Sequence, residues 1–106
     1  MDMRFISEFA KRVSLDKTAF DKAIYELENN LDGVLYIKEN ASLNNMKPFV
    51  KVLEKDREKG ASVCLAAALL ISEDAYKKYK KLGIPDEVFY DTFGDISVWL
   101  TQVCLI

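Results

Sequence analysis

The chain has 106 residues, half of them hydrophobic and 30% charged, which suits one folded domain with a modest core and excludes a disordered polymer. A formal net charge of −2 supplies no field that would recruit nucleic acid or an anionic membrane. With no histidine and two well-separated cysteines, the chain excludes a Ser-His or Cys-His pair and a zinc-type ligand spacing.

Met1 to Val13 places Phe5, Ile6, Phe9 and Val13 at helical spacing with charged residues between them, so it reads as a short amphipathic helix. Ser14-Leu15-Asp16 interrupts the pattern and offers two side chains able to cap the next helix. Ala19, Phe20, Ala23, Ile24 and Leu27 form the buried stripe of that helix. Asn29-Asn30 and Asp32-Gly33, both turn-forming pairs, end it. Val34 to Lys38 has the β-branched and aromatic content of a strand. No second run of that character exists to pair with it, so it reads as a short helical turn or an extended connector.

Ala41 to Asn45 reads as a loop, with Asn44 or Asn45 capping a helix whose first turn holds Pro48. Phe49, Val50, Val52 and Leu53 form the apolar face of that helix, Lys51, Glu54, Lys55 and Glu58 its solvated face, and Gly60 its end. The apolar run Ala61 to Ile71 is too short to span a bilayer and reads as a buried core helix, expected over 61–82. Val63, Ala66, Ala67, Leu70, Ala75, Tyr79 and Leu82 mark its buried face. Lys77, Lys78, Lys80 and Lys81 crowd its last turns, where cations suit the negative end of the helix dipole. Gly83 fits the left-handed position just past the end, and Pro85 followed by Asp86 and Glu87 opens a second helix, expected over 85–103. Val88, Phe89, Thr92, Phe93, Ile96, Trp99, Leu100 and Val103 give that helix its broad apolar stripe. The expectation is an all-α domain spanning 1–106, a small irregular or orthogonal bundle of five or six short helices.

Tyr79, Gly83-Ile84-Pro85, Asp91-Thr92-Phe93, Asp95-Ile96 and Trp99 also form an ordered series of unlike residues. The series resembles the helical N-terminal domain of a family of bacterial GNAT-like acyltransferases, in which a helical first domain precedes an acyl-CoA-binding second one. The resemblance implies an accessory, non-catalytic role beside such a domain. The four glycines are isolated, so no glycine-rich loop is present to cradle the pyrophosphate of an acyl-CoA. The chain by itself is therefore expected to bind no cofactor and to transfer no acyl group. A different reading is a stand-alone protein–protein interaction or oligomerisation module.

Three constellations have competing readings. Asp91 and Asp95, four residues apart, project from one side of the last helix beside Thr92; they could form a polar acid–base site, but a solvated face, or ion pairs to lysines of the preceding helix, is the favoured reading. Tyr76, Tyr79, Tyr90 and Trp99 could line a partner groove, but the core is the favoured reading for Tyr79 and Trp99. The lysine-rich hairpin invites a DNA-binding helix-turn-helix reading, but Asp86, Glu87, Asp91 and Asp95 on the recognition helix would repel phosphates.

Cys64 and Cys104 sit in apolar surroundings, where thiols behave as small hydrophobes. Nothing near the start combines a basic stretch, an apolar run and a cleavage site, so the expected compartment is the cytoplasm. Val103, Cys104, Leu105 and Ile106 give the closing helix an apolar tip on all sides. Such a tip calls for cover: it tucks under the helices of residues 5–27, or it meets a second domain or a second copy. The expectation is a two-fold dimer that buries the last helix and part of the hairpin.

Overall fold

The computed structural model describes residues 2–40, 47, 51 and 54–94. Helix α1 spans Met3–Arg12, α2 Lys17–Asn29, α3 Leu31–Asn40 and α4 Arg57–Lys81, and residues 86–94 are helical again. No strand occurs among the described residues, and the fold is all-α.

Helix α4 is the axis. Its 25 residues make a rod about 37 Å long. Val63 to Leu70 are eight consecutive buried residues, so its middle is enclosed on every side rather than along one stripe. Helices α2 and α3 pack along it, and α1 meets it as well. The small side chains Ala66, Ala67 and Ala68, all essentially inaccessible, leave room for neighbours on more than one side. Ile6 and Phe9 from α1, Ala23 and Leu27 from α2, Val34 and Ile37 from α3, and Phe89 and Phe93 from the last stretch close the core around it.

Local chemistry sets most boundaries. Asp2 caps α1, its Oδ1 accepting from the N–H groups of Arg4 (3.1 Å) and Phe5 (3.3 Å). Of the two capping candidates between α1 and α2, Asp16 does the work, accepting from Ala19 N–H at 3.0 Å. Ser14 instead takes a left-handed backbone, φ 56°, where the chain turns.

The structure corrects several expectations. Val34 to Lys38 is neither a short turn nor a connector but the body of α3. Asn30 alone breaks the chain between α2 and α3, and Val34 N–H donates to Asn30 O at 3.1 Å, so Asp32-Gly33 lies in the first turn of α3. Burial of Val34 and Ile37, three residues apart, overrides their strand preference. Gly60 does not close a helix either. It is buried within α4, whose true start is capped by Asp56 accepting from Lys59 N–H at 3.1 Å.

The remaining corrections concern the hairpin. Leu82, expected on the buried face, is 75% exposed because α4 ends there and its last turn projects beyond the core. Val88 and Thr92, both expected in the apolar stripe, are exposed, Val88 to 45%; Phe89 and Phe93 fill the inward positions instead. Lys51, Glu54 and Lys55 are helical and exposed, as a solvated face requires. The loop 41–45, Pro48, and the apolar face Phe49, Val50, Val52 and Leu53 fall outside the described residues. So do Asp95, Ile96, Trp99, Leu100, Val103, Cys104, Leu105 and Ile106.

Gly83 takes φ 71°, and a Cβ placed there would meet nothing within 4 Å. The cost of Gly83→Ala is therefore purely conformational, and an urea denaturation curve should show a loss of about 1–2 kcal/mol.

Candidate functional site

The described residues that carried the sequence resemblance lie where α4 hands over to residues 86–94. Ile84 N–H donates to Tyr79 O (3.0 Å) and Gly83 N–H to Lys80 O (3.1 Å), the paired bonds of a Schellman closure. Only a left-handed residue between them lets both form, which is the role of Gly83. Pro85 sits just before the next helical residue, and Val88 N–H donates back to Pro85 O at 3.1 Å.

Beneath this turn lies a cluster of rings. Phe89 is fully buried, with its centroid within 6.1 Å of those of Phe5, Phe9, Tyr76, Tyr79, Tyr90 and Phe93. Tyr76 stacks on Phe5 at 4.7 Å, and Tyr79 meets Phe89 and Phe93 edge-on at 5.8 and 5.9 Å. Tyr90 stacks against Phe9, and the Arg12 guanidinium lies 4.4 Å from its ring centroid. Tyr79 is thus packed against the core, as one of its two readings had it. The cluster joins α1, α4 and the last helical stretch into one unit.

Asp91 and Thr92, the described members of the polar side, are exposed, and the Thr92 hydroxyl donates to Val88 O at 3.0 Å within its own helix. Asp95, the partner proposed for Asp91, lies outside the described residues. The surface of the turn is held by ion pairs. Lys80 Nζ lies 3.6 Å from Asp86 Oδ1, and the Tyr76 hydroxyl donates to Asp86 Oδ2 at 3.3 Å. Two of the lysines read as a dipole cluster therefore have individual acidic partners, Lys80 with Asp86 and Lys77 with Glu73.

Glu73 was not legible as a functional or structural residue, yet it is one of three buried polar residues among those described. Its Oε1 accepts from Asp2 N–H at 2.8 Å and faces Lys77 Nζ at 3.1 Å, tying the start of α1 to α4. One signal did exist. Glu73 stands four residues after Leu69 and three before Tyr76, on the same helical face as apolar residues. Lys38 and Asp74, 2.7 Å apart, make the corresponding bridge from α3 to α4.

Among the described residues, Lys77, Lys80 and Tyr90 titrate above their ordinary values. Lys77 is raised by its hydrogen bond and charge attraction to Glu73, and Lys80 by its bond to Tyr76 and the charge of Asp86. Burial raises the Tyr90 phenol, with Arg12 opposing the shift. In each case folding favours the protonated form, so its contribution is complete below the ordinary values of 10.5 and 10.0 and is lost as pH rises through the raised ones. Urea midpoints should therefore show no loss from these groups between about pH 7 and 9 and should fall above about pH 10.

Residues 6–104 match the family model described as "N-acyltransferase N-terminal domain". The chain is also 30% identical over 73 residues to an L-2,3-butanediol dehydrogenase of Corynebacterium glutamicum, a stretch covering 69% of this chain and 28% of that protein. The chain thus spans less than a third of the length of that curated relative. No solved structure matches.

Proposed function

The chain belongs to the N-acyltransferase N-terminal domain family, and on that premise we propose that it is the non-catalytic helical domain of a bacterial acyltransferase-like protein, accessory to a GNAT-like acyl-CoA-binding domain. The observation that carries this reading is the family match across nearly the whole chain, which includes the hairpin and its aromatic cluster. Its chemistry agrees. The motif residues Tyr79, Gly83, Ile84 and Pro85 shape the turn and its packing. Leu82 and Val88, exposed on either side of that turn, offer apolar surface to a neighbouring domain.

The apolar tip Val103, Leu105 and Ile106 belongs to the same proposal, as the place where a following domain or a second copy docks. The stand-alone interaction module remains the second reading, favoured by that exposed pair. Among the described residues no helix is long and apolar enough to cross a membrane, and the proposed compartment is the cytoplasm. The relative's dehydrogenase activity is not carried over, because the match covers 28% of that protein.

Calorimetric titration of the 106-residue chain with acetyl-CoA tests the proposal. No saturable heat is expected at micromolar concentrations, and micromolar binding would overturn the accessory reading.

A further inference from the structure

The turn between α1 and α2 repeats the closure that ends α4, on a different residue. Leu15 N–H donates to Ala10 O at 2.9 Å and Ser14 N–H to Lys11 O at 3.1 Å, as Ile84 and Gly83 do at the hairpin. The left-handed residue at the hairpin is a glycine; here it is Ser14, at φ 56°, a conformation disfavoured for any residue with a Cβ. Residues 3–29 contain neither glycine nor proline, so no helix breaker separates the two helices. Ile6, Phe9, Val13, Asp16, Phe20, Ala23 and Leu27 follow at alternating spacings of three and four residues. One apolar stripe therefore runs in phase across the turn, with Asp16 its only polar member. A right-handed Ser14 would fuse α1 and α2 into a single amphipathic helix.

Helix α1 is docked by contacts that another copy can supply. Asp2 N–H reaches Glu73 Oε1 at 2.8 Å, Phe5 stacks on Tyr76, Phe9 lies against Phe89 and Tyr90, and Arg12 covers Tyr90. These partners all fall within residues 73–90, and none belongs to α2 or α3. We propose that Ser14 is a hinge through which two copies of the chain exchange α1. Each copy straightens residues 3–29 into one helix and lays its α1 on residues 73–90 of the other. The exchanged dimer keeps every one of these contacts and removes the left-handed serine, a low-cost route to association. The Asp16 cap on Ala19 N–H is lost, and backbone hydrogen bonds through the fused turn offset it. A dimer that docks through Val103, Leu105 and Ile106 would instead leave α1 on its own chain. The inference is independent of the acyltransferase reading.

The test refolds carbon-13-labelled and unlabelled chains together from urea and records isotope-filtered NOEs on the dimer at millimolar concentration. Ring contacts between Phe5 of one chain and Tyr76 of another are expected. The dimer dissociation constant, from sedimentation, should fall about tenfold in Ser14→Ala, where alanine is the better helix former. It should rise about tenfold in Ser14→Gly, because glycine adopts the left-handed turn freely. A chain that stays monomeric at millimolar concentration would overturn the proposal. So would a dimer whose Phe5–Tyr76 contacts stay within each chain, or dissociation constants that fail to increase in the order alanine, serine, glycine. Should either variant fail to fold, the filtered contacts of the unaltered chain still decide.

Discussion

Phe89→Ala is expected to destabilise the domain by about 3–5 kcal/mol, read as a shift of the urea unfolding midpoint with an unchanged slope. Phe89 is fully buried, and six other rings converge on it, two from α1, two from α4 and two from its own helical stretch. Removing the ring opens a void that none of these can fill alone, because each is already fixed against another neighbour: Phe5 on Tyr76, Phe9 on Tyr90, Tyr79 on Phe93. Domains of this size hold only about 5–15 kcal/mol in total, so the variant should be close to unfolding at physiological temperature. Phe89→Leu, which keeps most of the volume, should cost clearly less. A loss under about 1 kcal/mol for the alanine variant would contradict the packing described, since truncating a buried aromatic costs several times that.

The hairpin was legible in the sequence because its signals are local. Gly83 supplies the left-handed residue, Pro85 cannot continue the old helix, and lysines and acids sit at opposite dipole ends. Helix α3 was not legible, because Val34 and Ile37 are strand formers by preference and become helical through burial against α4, which no local rule contains. Gly60 misled for the opposite reason. A glycine usually ends a helix, but with Asp56 capping α4 four residues earlier it is buried inside the first turn. Of the candidate site, the turn-forming residues were found and Glu73 was missed. It shares a helical face with apolar residues, but which backbone N–H lies opposite it, here that of Asp2, is a long-range fact that periodicity does not report.

The same distinction separates two leucines of α4 and its cap. Leu69 is 1% exposed in the enclosed middle of the helix, and Leu82 is 75% exposed at its C-terminal cap. By composition alone they are interchangeable. Leu69→Ala is expected to cost about 2–5 kcal/mol, the transfer term plus the void left between α4 and the helices around it. The void should relax little, since Leu69 is flanked by buried Ala68 and Leu70 on a helix enclosed on all sides. Leu82→Ala should stay within about 0.5 kcal/mol, because its side chain is in water before and after folding. Measuring both by chemical denaturation removes the shared leucine-to-alanine chemistry from the comparison, leaving burial as the variable. If the two losses were similar, either α4 does not form the axis of the core or Leu82 is covered by something beyond the described residues. Repeating Leu82→Ala at several protein concentrations separates these cases, because cover by a second copy would make its cost rise with concentration.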